Sequence, residues 1–236
     1  MDLGFALNYQ FVYLIDTNPT GAEDWAFLGP GVESFTNDRA DTTVDKAYWD
    51  KGGATSTNVT AVTSGWTVAG DRLIGDKAQD YIVGLTYLKG AERKTRVRQV
   101  GPDGEAVEWP CTIVEIKGAG ADGNTPDNVP FGCSIKCEGD PVLVAQAAGA
   151  ELPESVTVED VEVGVGAVAK IAPEVAPSGA SGFCLYAVAE SGREVCRVDA
   201  EGNVHGLAAG ETEVTVKCAA KPTVNATVRV TVTSGA

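Results

Sequence analysis

The sequence predicts a mainly β protein. A β-sandwich or barrel with one flanking α-helix covers residues 1–144, a short linker covers 145–151, and a second β-sandwich covers 152–236. Three observations predict this. Apolar residues recur with period two in many separate runs. Gly is abundant, at 28 residues, and falls with Pro, Asn and Asp in turn-forming clusters between those runs. Helical spacing is confined to one stretch, residues 76–90.

Residues 3–15 alternate persistently, with Leu3, Phe5, Leu7, Tyr9, Phe11, Tyr13 and Ile15 on one face. They predict one strand of roughly 40 Å. A turn at 16–21 follows, then strands at 25–28 and 32–36, broken by Gly29-Pro30-Gly31. From 37 to 70 the pattern thins into Thr, Ser, Gly, Asp and Asn. This reads as a long polar loop, mobile at 51–56, with short strands at 58–63 and 66–69. It nevertheless holds Trp49 and Trp66, which a purely solvated linker would seldom carry.

The helix is read from its caps. Asp76 stands at the N-cap and Gln79 three residues on, as in a capping box. Ala78, Tyr81, Ile82, Leu85 and Leu88 form one face, and Gly90 is the expected stop. Gly84 weakens the interior by about 1 kcal/mol against Ala. Strand rhythm resumes at 94–100, and a turn at 101–104 leads to a strand at 105–117. Pro110 marks a bulge or an edge there. A loop at 118–130 precedes the alternating run Val129, Phe131, Cys133, Ile135, Cys137. Residues 145–150 are small and plain, which suits a linker. Beyond them, strands are read at 156–158, 161–163, 167–172, 184–189, 195–199, 213–217 and 226–232.

Composition excludes several function classes. The net charge is −15, and both parts share it: residues 1–150 carry 12 Lys+Arg against 21 Asp+Glu, the remainder 6 against 12. Such a surface repels nucleic acid and anionic membranes. No run of 18 apolar residues predicts a membrane span. The first residues have no Lys or Arg ahead of their apolar positions, which argues against a secretory leader. The six cysteines form no CxxC pair and His205 is the lone histidine, so no zinc site is expected. The cysteines read as reduced apolar fillers, the alternative being a Cys184–Cys218 or Cys184–Cys196 bridge. Asp122-Gly123-Asn124 and residues 199–203 hint at calcium but read first as turns. His205 has no nucleophile–acid context, so no catalytic residue and no cofactor is expected.

Residues 196–216, CRVDAEGNVHGLAAGETEVTV, carry a resemblance. A strand ending Val198-Asp199, a turn with Gly202, the short Val204-His205-Gly206-Leu207, then Ala209-Gly210 and an alternating strand are similar to the bacterial immunoglobulin-like domain, group 2. Glu211 intervenes before Thr212, a variation on that pattern. The resemblance implies an immunoglobulin-like β-sandwich over 152–236.

The first part resembles the major tail protein, or tail tube protein, of long non-contractile-tailed phages. The residues that carry this are the long N-terminal strand, the polar loop and Trp66–Leu73 running into the Gly75–Asp80 helix start. The basic strand 93–98, the Pro102–Gly104 turn and the late strand ending at 137–142 complete it.

That resemblance implies a virion tail protein, assembled in the host cytoplasm. Its hexameric rings stack into a tube through which DNA passes without specific binding. Its partners would be copies of itself, the tape measure and other tail proteins, with no membrane. The outer domain would serve as a decoration that meets the host surface. Under this reading the loop's Trp49 and Trp66 anchor it on a neighbouring subunit. Lys94, Arg96 and Arg98, which alternation puts on one strand face, meet a neighbour's acidic residues. The alternative function is an adhesin-like surface binding protein made of two β-sandwich modules.

Overall fold

The computed structural model describes residues 6–124, 126–145 and 151–234. It is mainly β, with one α-helix among the described residues. The elements of the first part are β1 (Val12–Asp16), β2 (Trp25–Phe27), β3 (Val32–Asn37), β4 (Ala40–Ala47), β5 (Thr55–Thr63), β6 (Gly65–Asp71), α1 (Lys77–Gly84), β7 (Lys94–Val100), β8 (Ala106–Lys117), β9 (Pro130–Cys137) and β10 (Val142–Ala145). Those of the remainder are β11 (Ser155–Thr157), β12 (Val161–Gly164), β13 (Val168–Lys170), β14 (Glu174–Ala176), β15 (Cys184–Val188), β16 (Cys196–Val198), β17 (Asn203–Gly206), β18 (Gly210–Cys218) and β19 (Asn225–Thr233).

Two compact units emerge. One draws on Met1–Gly29, Val97–Glu108 and Pro141–Ala236, the other on Pro30–Arg96 and Trp109–Asp140. Strands β7 and β8 each contribute to both.

In the first unit, β1 pairs antiparallel with β2 (Ile15↔Ala26) and with β7 (Val12↔Val100), and β10 pairs with the start of β8 (Leu143↔Val107). Asp16 is fully buried at the end of β1. Its Oδ1 accepts hydrogen bonds from the amides of Asn18 (3.0 Å) and Asp24 (3.2 Å), which fixes the β1–β2 turn and satisfies the carboxylate. Val12, Leu14, Trp25, Val100, Ala106 and Ala219 form one apolar cluster, with Phe27, Phe183, Leu185 and Ala200 at its edge.

The same unit holds three further sheets: β12-β19-β18-β15, β13-β17-β16 and the pair β11-β14. The pairing β12–β19 is parallel and the rest are antiparallel. Along β18 and β19 Val214, Val216, Val228 and Val230 alternate inward and are completely buried. With Val163, Ile171, Val204 and three cysteines they build a second core. Strands β14 and β17 add to the seven strands read from the sequence there.

The second unit has the strand order β8-β9-β6-β3 and carries α1. Phe131, Cys133 and Ile135 of β9 and Trp66 and Val68 of β6 are buried between their neighbours. The bulge in β8 lies at Glu115, the one non-Gly residue of positive φ (54°) among the described residues, where the register on β9 shifts. Pro110 is not its site. Its carbonyl still accepts the Glu138 amide (2.7 Å), and it has no N–H to lose.

Four expectations need correction. The long first strand is shorter than predicted. Residues 8–10 form a 3₁₀ turn and the strand begins at Val12, while Leu3 and Phe5 lie outside the described residues. The cause is local. Gln10 Oε1 accepts the Leu7 amide (2.7 Å), the Gln10 amide donates back to Leu7 O (3.0 Å), and Gln10 Nε2 donates to Ala220 O (2.8 Å). Secondly, the polar loop at 37–70 is mostly strand, as described below.

Thirdly, α1 stops at Gly84 and not near Gly90. Thr86 Oγ1 bonds back to Val83 O (2.6 Å), and Arg93 donates to the carbonyls of Leu88 (2.8 Å) and Thr86 (2.5 Å), so the chain turns away after Leu85. Lastly, the capping box is half formed. Asp76 Oδ1 accepts the Gln79 amide (2.9 Å) as expected. The Gln79 side chain is fully buried and is committed elsewhere: it accepts from Leu73 N (2.8 Å) and donates to Pro30 O (2.8 Å) and Asp71 O (3.1 Å).

Candidate assembly surfaces

Among the described residues, strands β4 and β5 pair only with each other, from Ala40↔Thr63 to Ala47↔Thr55, with a bulge between Thr42 and Thr43. Every residue of β4 is exposed, and so is every residue of β5 except the half-exposed Ser56. Thr, Val and Ala supply strand propensity without supplying a core face. The hydroxyls of Thr60 and Thr63 add bonds to Thr42 O and Ala40 O (both 3.1 Å). A two-stranded ribbon is marginal alone in water. This one is about 25 Å long by strand rise.

Its tip is a 3₁₀ turn at Trp49–Lys51, closed by Gly52 (φ 60°) and Gly53 (φ 82°), left-handed positions that favour glycine. The Lys51 ammonium sits 5.9 Å from the centre of the Tyr48 ring. Trp49 beside it is 99% exposed. Val44, Val59 and Val62 along the ribbon are exposed too. At the base, the Asp38 amide donates to Gly65 O (2.9 Å). Asp38 Oδ2 accepts from Thr67 Oγ1 (2.7 Å) and Lys136 Nζ (3.5 Å). The Thr67 hydroxyl and then Lys136 hold the Asp38 carboxyl below its ordinary range.

The two tryptophans read together as anchors are not brought together. Trp66 is 4% exposed and meets Trp109 edge to face, with ring centres 5.1 Å apart. It belongs to the core of its own unit, three residues past the ribbon's end. Trp49 lies a ribbon's length away.

The basic strand face exists as alternation requires: Thr95 and Val97 point inward while Lys94, Arg96 and Arg98 do not. Its members are used differently. Lys94 Nζ is 2.7 Å from Glu138 Oε2 in an exposed pair. Lys94 and Thr112 together hold the Glu138 carboxyl below its usual range. Arg96 is half-buried. The Arg98 side chain is 18% exposed and is clamped within its own unit. It donates from Nε to Glu108 Oε1 (2.7 Å), with Nη2 2.6 Å from the same oxygen. Its guanidinium lies 4.2 Å from the centre of the Trp25 ring, and Glu23 and Glu201 stand 3.9 Å away.

The structure adds surface that the sequence reading passed over. Ile74 and Tyr87, before and after α1, are among the most exposed large apolar residues, and Val142, Leu143 and Val144 of β10 are exposed in succession. The apolar run at 142–144 was a readable signal; Tyr87 fell within the expected helix but off its apolar face. The acidic turn at 199–203 is explained internally. Asp199 Oδ1 accepts the amides of Glu201 (3.0 Å) and Asn203 (2.9 Å), and His205 Nε2 lies 3.6 Å from Oδ2.

No protein-family model and no curated protein matches the chain. Among solved structures, the chain is similar to the tail of an empty gene transfer agent particle refined with C6 symmetry (14% identity, TM-score 0.49, 60% of this chain and 100% of that one). A native gene transfer agent virion gives 12% identity and TM-score 0.46 over the same shares. The sheath/tube terminator of an extracellular contractile injection system gives 10% and 0.41, over 59% of this chain and 96% of that one. Likenesses of this size do not establish a family.

Proposed function

We propose that this chain is a structural subunit of a phage-type tail tube, one that stacks as hexameric rings around a DNA conduit and works with the tape measure and other tail proteins. Residues 152–236 are its outer immunoglobulin-like module, and 145–151 the linker. The observation that carries this reading is the β4–β5 ribbon. A ribbon with two wet faces and a fully exposed tryptophan at its tip has no stabilising partner among the described residues. A neighbouring copy is the partner that gives it one, with Trp49 as the anchor. The spread of negative charge suits a passage in which DNA slides and does not stick. Lys94 and Arg96 remain candidates for contacts between subunits. Arg98 and Trp66 serve the chain's own fold.

Sedimentation and negative-stain imaging of the purified chain test this reading. Wild type should form sixfold rings or tubes as concentration rises. Trp49→Ala should stay monomeric at concentrations where wild type assembles, with an unchanged Tm. A wild-type chain that remains monomeric throughout, or a Trp49→Ala variant that assembles normally, overturns the proposal.

A further inference from the structure

Four of the six cysteines face one another across strands. In β15–β18, Cys184 is opposite Cys218; in β8–β9, Cys111 is opposite Cys137. Antiparallel pairs alternate between hydrogen-bonded positions and closer, non-hydrogen-bonded ones. The Ala219 amide donates to Phe183 O (3.0 Å) and the Ala189 amide to Glu213 O (3.0 Å), so 183/219 and 189/213 are hydrogen-bonded pairs. One step in from 183/219, Cys184/Cys218 is therefore non-hydrogen-bonded. The Glu138 amide donates to Pro110 O (2.7 Å), which makes 110/138 hydrogen-bonded and Cys111/Cys137 likewise non-hydrogen-bonded.

At such positions Cα atoms lie about 4.5 Å apart, inside the range of roughly 4.4–6.8 Å that a disulfide spans. The remaining two cysteines serve as internal controls. Cys133 is opposite Val68 and Cys196 opposite Gly206.

We infer that Cys111–Cys137 and Cys184–Cys218 are two latent cross-strand disulfides, dithiols in a reducing compartment and bridges once a small-molecule disulfide dominates the surroundings. All six cysteines are thiols in the structure described here. The entry point is Cys137, the one cysteine of the six that is not buried. Its thiolate attacks one sulfur of glutathione disulfide and releases one glutathione. The Cys111 thiolate then attacks Cys137 Sγ, forms the protein S–S bond and releases the second glutathione. Two protons leave the protein thiols, and two electrons reduce glutathione disulfide to two glutathione thiols. Burial pushes the Cys137 thiol up to about 12, so the thiolate is scarce and exchange is slow. Cys184 and Cys218 are both buried and react by the same steps only when β15 and β18 part locally. Their bridge would fasten β15 to β18 next to Ala219, which sits in the cluster with Val12, Leu14 and Trp25.

Both pairs lie within one chain, so the test does not depend on assembly. The full chain, purified with reductant, is equilibrated in glutathione buffers from fully reduced to fully oxidised. It is then denatured in N-ethylmaleimide and mapped by mass spectrometry. Six alkylated thiols should fall to four, with a Cys111–Cys137 linkage, and then to two, with Cys184–Cys218 added. Cys133 and Cys196 should stay alkylated throughout. Tm of the oxidised protein should rise by roughly 5–10 °C. Cys137→Ser and Cys218→Ser should each abolish only their own linkage. Six alkylated thiols in the most oxidising buffer, a lasting glutathione adduct on Cys137, or any bridge to Cys133 or Cys196 overturns the inference.

Discussion

The chain contains two long antiparallel hairpins of almost equal size, β4–β5 and β18–β19, and they are stabilised in opposite ways. Each pairs eight residues on a backbone ladder, β4–β5 with one bulge. In β18–β19 every second side chain from Thr212 to Cys218 and from Val228 to Val232 is buried, and the hairpin is one wall of a core. In β4–β5 neither face is buried, so the ladder and the threonine hydroxyls act alone. The difference teaches where strand stability comes from. The ladder sets the shape of both hairpins, and apolar burial decides which is rigid in a lone chain. The ribbon is the segment with most to gain from a partner.

The largest expected effect sharpens that contrast directly. Val228→Asp places a carboxylate among Val214, Val216 and Cys218, and should cost upwards of about 4 kcal/mol, enough to abolish cooperative folding of its unit. The counterpart Val59→Asp, on the ribbon, should change chemical-denaturation stability of the monomer by no more than about 0.5 kcal/mol. Comparable losses from both substitutions would mean that the ribbon is held by the monomer's own packing, and the contrast would fail.

A smaller effect separates the cations that the sequence grouped. Arg98→Met removes the largely buried Arg98–Glu108 pair, in which Glu108 is only 12% exposed, and should destabilise by about 2–3 kcal/mol in urea unfolding. Lys94→Met breaks an exposed pair and should cost less than about 1 kcal/mol. Equal costs would mean that the Arg98–Glu108–Trp25 arrangement is no tighter than a surface ion pair.

What could be read from the sequence follows from the same contrast. Period-two alternation reports one buried face, so β18, β19 and β9 were visible and β4 was not. β4, wet on both sides, shows mostly Thr, Asp and Ala, which look like loop. The alternation of residues 3–15 misled for the converse reason: Leu7 and Tyr9 keep the pattern, but the Gln10 side chain closes the backbone into a turn that spacing cannot report. Asp76 was legible as a cap because its bond is local. The buried role of Gln79 was not, since Pro30 is distant in sequence. Trp49 and Trp66 gave one and the same signal, an aromatic in a polar stretch. Only Trp66 also alternates with Val68, and that alternation marks the core. For Arg98, the alternation gave the face correctly, while the three glutamates that claim it come from three distant segments.

The smallest predicted effect concerns the join between the two regimes, the base of the ribbon. Asp38 stands just before β4, and its carboxylate holds Thr67 on β6 and Lys136 on β9. Those contacts depress its pKa in the folded chain. A carboxyl depressed on folding adds stability above its unfolded value, about 3.9, and loses it as pH falls through the lower folded value. Acidification from about pH 5 downward should therefore loosen the ribbon's base while leaving the β18–β19 core unaffected. The readout is hydrogen-exchange protection of the Asp38 amide, which donates to Gly65 O, relative to that of Val228. In wild type that ratio should fall across the window. Glu138 is depressed too, through Lys94 and Thr112, so pH alone does not isolate one carboxyl. Asp38→Asn does: it keeps an oxygen able to accept from Thr67 and cannot titrate, so its ratio should start lower and stay flat as pH falls. A ratio that falls equally in Asp38→Asn would assign the acid sensitivity to Glu138, and would leave the ribbon tied to its sheet by backbone pairing alone.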